Sequence, residues 1–177
     1  MRSIALMGLM ASGKTTIGRL LASRLDLPFR DLDEVVELLA GKTVSGIFGT
    51  EGEARFRELE LEALASIATG EDCVLALGGG SILNAGVRAL LAKRFVTVWL
   101  QVVPATAAAR AELQGALSAS GNPRPLLAGV DGEAMLSRIM TERENLYREC
   151  ASFAVSTENL SPDAVVEAIS AVLDRAG

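Results

Sequence analysis

The chain has no histidine. Histidine general bases and histidine-ligated zinc sites are therefore excluded. Its two cysteines, Cys73 and Cys150, have no metal-ligand spacing and read as reduced, buried thiols of a cytosolic protein. Aromatic residues make up 4% of a chain that is 50% hydrophobic, so the core has to be aliphatic, built from Leu, Val, Ile and Ala. There is no basic tract, and the net charge is −5. That argues against nucleic acid or an anionic membrane as the main partner. No apolar run is long enough to span a bilayer, and the N-terminus lacks the layout of a signal peptide. Internal repeats and low-complexity tracts are absent too, and 177 residues suit a single domain, 1–177.

What is present begins with Gly8-Leu9-Met10-Ala11-Ser12-Gly13-Lys14-Thr15. This has the form G-x-x-x-x-G-K-[ST] of a phosphate-binding loop. An apolar run, Ile4-Ala5-Leu6-Met7, precedes it as a buried strand. After it, Ile17, Leu20, Leu21 and Leu25 fall on one helical face. Glycines let successive N–H groups turn toward one anion, and the helix behind presents its positive end to the same point. Lys14 can reach the β- and γ-phosphates of a nucleotide, and the Thr15 hydroxyl can ligate Mg²⁺.

Strand-like and helical runs alternate along the rest of the chain. This predicts an α/β fold with a parallel sheet covered on both faces. Strands are expected at 3–7, ending at Asp31, and at 73–77, 95–100 and 153–155. Helices are expected near 33–39, 44–48, 51–68, 86–93, 104–117 and 133–150, and from Ser161-Pro162 onward. The Ser-, Gly-, Asn- and Pro-containing stretch 118–132 reads as a long loop, and loops of that length are usually functional or disordered.

The strand at 73–77 ends without a carboxylate, so an acid to support the metal has to come from elsewhere. Asp31 and Asp33 are i and i+2 in an extended segment, and both can face the cleft above the C-terminal edge of the sheet. One can serve the metal through water, and the other can orient or deprotonate a hydroxyl acceptor. The competing reading makes Asp33 a helix N-cap. Gly78-Gly79-Gly80 allows a ligand to lie against bare backbone. Arg57 and Arg143 on two long helices would fit a carboxylate as forks, and Arg124 in the long loop could close on a γ-phosphate. Arg55, Arg138 and Arg148 read as solvated surface residues.

Taken together, these residues resemble the shikimate kinase family over nearly the whole chain. The resemblance rests on the 8–15 loop, Asp31-Leu32-Asp33, Ile47-Phe48, Gly52-Glu53, Phe56-Arg57 and Glu60. Gly78-Gly79-Gly80, Arg124-Pro125-Leu126-Leu127, and Arg143 with Leu146-Tyr147 complete it. It implies a three-layer α/β/α P-loop kinase with five parallel strands in order 2-3-1-4-5. A mobile lid would lie at about 110–128, and a shikimate-binding segment at about 32–61. The implied reaction moves the ATP γ-phosphate to the 3-hydroxyl of shikimate, toward chorismate and the aromatic amino acids, in a cytoplasmic monomer.

By the same resemblance, Asp33 would hold the acceptor hydroxyl and act as base. Arg57 and Arg143 would grip the carboxylate, and Gly79, with Gly78 and Gly80, would meet the ring hydroxyls. Lys14 and Arg124 would stabilise the moving phosphoryl group. Ala11, Ser12, Gly13 and Thr16 would join Lys14 and Thr15 around the nucleotide, with Thr15 and Asp31 serving Mg²⁺. Residues 157–162 would line the adenine. Ala11 departs from the glycine common in the family, which suits a negative φ and strains a positive one. Leu160 stands where the family often has an arginine, and Arg110 is the alternative cation for the adenine. Two other readings stand beside this one: a kinase of another small hydroxy acid such as gluconate, and a ligand sensor without turnover.

Overall fold

The computed structural model describes residues 2–117 and 131–176. Its five strands are β1 (Ser3–Met7), β2 (Phe29–Asp31), β3 (Val74–Ala76), β4 (Phe95–Gln101) and β5 (Phe153–Ser156). They form one parallel sheet in the order β2-β3-β1-β4-β5, the order implied by the resemblance. Helix α1 (Lys14–Leu25) follows β1; α2 (Leu32–Ala40), α3 (Val44–Thr50) and α4 (Gly52–Thr69) lie between β2 and β3. A 3₁₀ turn (Ser81–Leu83) and α5 (Ala85–Arg94) lead to β4. Helices α6 (Pro104–Leu117) and α7 (Gly132–Cys150) precede β5, and α8 (Pro162–Ala176) follows it.

The inner strands β1, β3 and β4 read as mainly apolar runs because both of their faces are buried, whereas the edge strands β2 and β5 are partly exposed. Successive side chains go to opposite sides. Ile4 and Leu6 of β1 join Val98 and Leu100 of β4 against Ile17 and Leu21 of α1 and Val165 and Ile169 of α8. Ala5 and Met7 join Leu75 and Trp99 against Leu64 of α4, Leu91 of α5 and Tyr147 of α7. Each large aliphatic side chain so buried contributes roughly 1.5–3 kcal/mol. The aliphatic core expected from the composition is thus split into two layers by the sheet.

Leu20 is not on the buried face of α1. It is 37% exposed, and the face is made by Ile17, Gly18, Leu21 and Ala22. The stripe follows the i, i+1, i+4, i+5 rows around Gly18, which brings α1 close to Phe29 and turns Leu20 toward water. Both cysteines are free, but only Cys73 is buried; Cys150, the last residue of α7, is half-buried.

The topology sets the site. Strands β2, β3 and β1 are neighbours, so their C-terminal ends bring Asp31, residues 78–80 and the 8–15 loop to one edge of the sheet. Ligands of open α/β sheets bind at that edge.

Candidate active site

The loop between β1 and α1 leaves the sheet at Gly8, whose φ is 151°. A Cβ there would stand 2.5 Å from the carbonyl oxygen of Leu100, so only glycine lets the loop pass that close to β4. Lys14 Nζ donates to the carbonyl oxygens of Gly8 (3.1 Å) and Leu9 (2.8 Å), tying the two sides of the loop together. Ala11 adopts a φ of 58°. It therefore takes the strained alternative for a non-glycine residue, at a cost of about 1–2 kcal/mol. Ser12 is buried, with its Oγ against Gly8 and without a hydrogen-bond partner among the described residues.

Across the cleft, Asp31 ends β2 and Asp33 stands in the first turn of α2. Two sequence expectations change here. The two acids do not share a face through strand alternation, because α2 begins immediately after Asp31. The helix N-cap is Asp31 and not Asp33: Asp31 Oδ1 accepts the Asp33 N–H at 3.1 Å. The other oxygen, Oδ2, accepts the Thr15 hydroxyl at 3.2 Å. One acid thus reaches the phosphate loop, and the turn it caps aims the next acid inward.

Asp33 is held in an unusual electrostatic state. Burial, then the neighbouring carboxylates of Asp31 and Glu60, push its pKa from an ordinary 3.8 up to about 6, with Lys14 opposing. Its Oδ1 is buried and meets no hydrogen-bond partner among the described residues. Glu60 is completely buried but satisfied: Ser81 Oγ donates to Oε1 at 2.5 Å and Arg57 Nη1 to Oε2 at 2.9 Å. The three oxygens of Asp33, Ser81 and Glu60 converge on Gly78, where an added Cβ would lie 2.8, 3.1 and 3.3 Å from them.

The arginines approach from two helices. Arg57, on α4, spans Glu60 and Glu53 and lies over the Phe56 ring at 5.3 Å. Arg143, on α7, donates through Nη1 to the carbonyl oxygen of Gly79 at 2.7 Å, and its buried Nε has no partner among the described residues. The Tyr147 hydroxyl donates to the same carbonyl at 3.4 Å, and its ring stacks on Trp99 with centroids 5.5 Å apart. Phosphate loop, raised carboxyl group and both arginines border one cavity of about 600 Å³.

The family model described as shikimate kinase matches residues 10–174. The chain belongs to the shikimate kinase family. The shikimate kinase of Symbiobacterium thermophilum is 41% identical over 99% of this chain and 98% of its own length. That of Saccharopolyspora erythraea is 45% identical over 89% and 86%. A solved structure of the Acinetobacter baumannii enzyme, in complex with shikimate, superposes with a TM-score of 0.87 at 32% identity, covering 98% of this chain and 93% of that one. Membership makes the chain an ATP-dependent small-molecule kinase.

Within that family frame, the residues picked from sequence separate by position. Ala11, Gly13, Lys14, Thr15, Thr16, Asp31, Asp33, Arg57, Gly78, Gly79, Gly80 and Arg143 all line the cavity. Ser12 does not, because its side chain is packed beneath the loop. Arg110 does not either: its guanidinium donates to Thr157 Oγ1 at 3.0 Å and to the Thr157 carbonyl at 2.8 Å, fastening α6 to the end of β5. Leu160 is 45% exposed and away from the cavity. Arg124 and most of the expected lid lie outside the described residues.

The structure adds Phe48, Phe56, Leu136 and Ile139 as an apolar wall and Glu60 as the buried anchor of Arg57. Apolar residues in helices carry no sequence mark that tells a cleft wall from a core. Glu60 does carry one, since its i, i+3 spacing from Arg57 on α4 pairs the two.

Proposed function

We propose that the chain catalyses transfer of the γ-phosphoryl group of ATP to the 3-hydroxyl of shikimate, giving shikimate 3-phosphate and ADP. One observation carries the reading. A buried carboxyl group, one oxygen of which has no partner among the described residues and whose pKa is about 6, shares a cavity with a phosphate loop and two arginines. That combination suits an acceptor with both an alcohol and a carboxylate. Arg143 supports it with a buried Nε that has no partner among the described residues and that a carboxylate would satisfy.

In this reading Arg57 and Arg143 hold the acceptor's carboxylate while residues 78–80 border its ring. Asp33 Oδ1 accepts the hydrogen of the reacting hydroxyl. As the oxygen attacks phosphorus, the bond from the γ-phosphorus to the β–γ bridging oxygen breaks and ADP departs. The hydroxyl proton passes to Asp33, which at neutral pH is mostly ionised. Lys14 and the loop amides offset charge on the phosphates.

Thr15 and Asp31 would hold Mg²⁺. The Thr15 hydroxyl and the Asp31 carboxylate stand 3.2 Å apart and are oxygen donors of the kind such an ion takes, directly or through water. The ion would supply charge neutralisation at the phosphates. Among the described residues no group of three His, Cys, Asp or Glu could hold a metal, so its remaining ligands would be phosphate and water. The free cysteines agree with a cytoplasmic setting.

The test is ADP release by purified protein with ATP and a panel of acids. Release that depends on shikimate supports the reading. Release with gluconate but not shikimate assigns another small acid, and shikimate binding without release assigns a sensor.

A further inference from the structure

The contacts of Arg57 divide its donors between two different kinds of partner. Nη1 goes to Glu60 Oε2 at 2.9 Å, and Glu60 is 0% exposed. Nε and Nη2, the edge that carboxylates bind side-on, both go to a single oxygen, Glu53 Oε1, at 3.3 and 3.0 Å. Glu53 is 63% exposed and lies in the first turn of α4. Arg57 lines the cavity, Glu53 does not, and Nη2 lies 2.6 Å from where a Cβ on Gly80, another lining residue, would stand.

We propose that Glu53 is a built-in competitor for the acceptor's carboxylate. It pairs with the Nε–Nη2 edge of Arg57 and yields that edge when the substrate enters. The assignment rests on the functional reading above, in which Arg57 grips that carboxylate. Two donors on one oxygen make a poorer fork than two parallel bonds to two oxygens, so an incoming carboxylate has the better geometry. Glu60 cannot yield, because leaving Arg57 would strand a buried charge. Glu53 can, because water and the positive end of α4 receive it. The residue therefore sets acceptor affinity without touching the reacting atoms, and it discriminates against acceptors that cannot displace it.

The test compares wild type, Glu53→Gln and Glu53→Asp by steady-state kinetics and by calorimetric titration with shikimate, in 150 mM salt. Asp keeps the charge and shortens the reach. Both variants are expected to lower the KM for shikimate about 2–5-fold, the scale of a solvated ion pair, with the KM for ATP unchanged and kcat no higher. Glu58→Gln, which removes an equal charge from the Arg55 pair on the same helix, is expected to change neither KM. Wild type that fails to turn over shikimate overturns the functional reading. An active wild type whose KM is unchanged or raised in Glu53→Gln overturns the competitor alone, as does an equal drop in Glu58→Gln. Should Glu53→Gln fail to fold by circular dichroism, Glu53→Asp decides by the same criterion.

Discussion

A methyl group on Gly78 would stand 2.8 Å from Asp33 Oδ1. The α-carbon of Gly78 is therefore part of the wall that keeps this carboxylate oxygen in place. Glycine is needed there for space, since Gly78 is not among the positive-φ residues. Gly78→Ala is expected to fold, with Asp33 or Ser81 pushed aside, and to lose about 10–100-fold in kcat, the scale of a misplaced catalytic group. Steady-state kinetics beside circular dichroism checks it; a near-wild-type kcat would show that Asp33 tolerates displacement.

Asp33→Asn is expected to trade activity for stability. Loss of the base should lower kcat by about 10²–10⁴-fold. At pH 7.5 the wild type carries an ionised carboxylate whose folded pKa of about 6 exceeds its ordinary value, a cost of about 1–3 kcal/mol. The variant should therefore melt several degrees higher by calorimetry. A lower Tm with full activity would contradict both roles.

The same group sets the pH dependence. Asp33 has to be ionised to accept a proton, so kcat/KM should rise with pH through about 6 and level off above it. Its effect on stability has the opposite sign. Between about pH 4 and 6 the folded state binds more protons than the unfolded one, so this group's contribution falls as pH rises through that window. Parallel pH series of rate and of denaturant midpoint, for wild type and Asp33→Asn, separate the two.

Ala11→Gly should relieve the left-handed strain in the phosphate loop. The gain of about 1–2 kcal/mol from conformation is partly offset by the greater freedom of glycine in the unfolded chain, leaving up to about 1 kcal/mol. A Tm rise of about 2–4 °C follows for a chain of this size. A fall in Tm would mean that the alanine methyl makes contacts worth more than the strain.

Arg143→Lys tests the fork. Lysine can replace the bond to the Gly79 carbonyl but has no counterpart to the buried Nε. The KM for shikimate should rise about 10–100-fold, a loss of one or two charge-assisted bonds, with the KM for ATP unmoved. A smaller change would assign Arg143 to holding residues 78–80 rather than to substrate.

The sheet and the phosphate loop were legible because each has a local signature: apolar runs of strand length, and a spaced motif with a helix behind it. Asp33 was legible as a candidate but not in its geometry. The switch from strand to helix at Asp31–Leu32 turns a period of 2 into one of 3.6, and sequence places that switch only to within a few residues. The φ of Ala11 left no trace, since alanine is written the same whichever region it occupies. Ser81 and Glu60 lie 21 residues apart, so their bond exists only through the packing of α4 against the turn after β3. Arg110 was legible as a cation of α6 but not in its anchorage, since its bonds to Thr157 join residues 47 apart in the chain.

Trp99 is the chain's only tryptophan. Its indole stacks on Tyr147, whose hydroxyl leans on the carbonyl of Gly79 at the rim of the cavity. Any guest that rotates that peptide or draws Arg143 away changes the indole's surroundings. Native emission of that indole is thus expected to report occupancy without a dye.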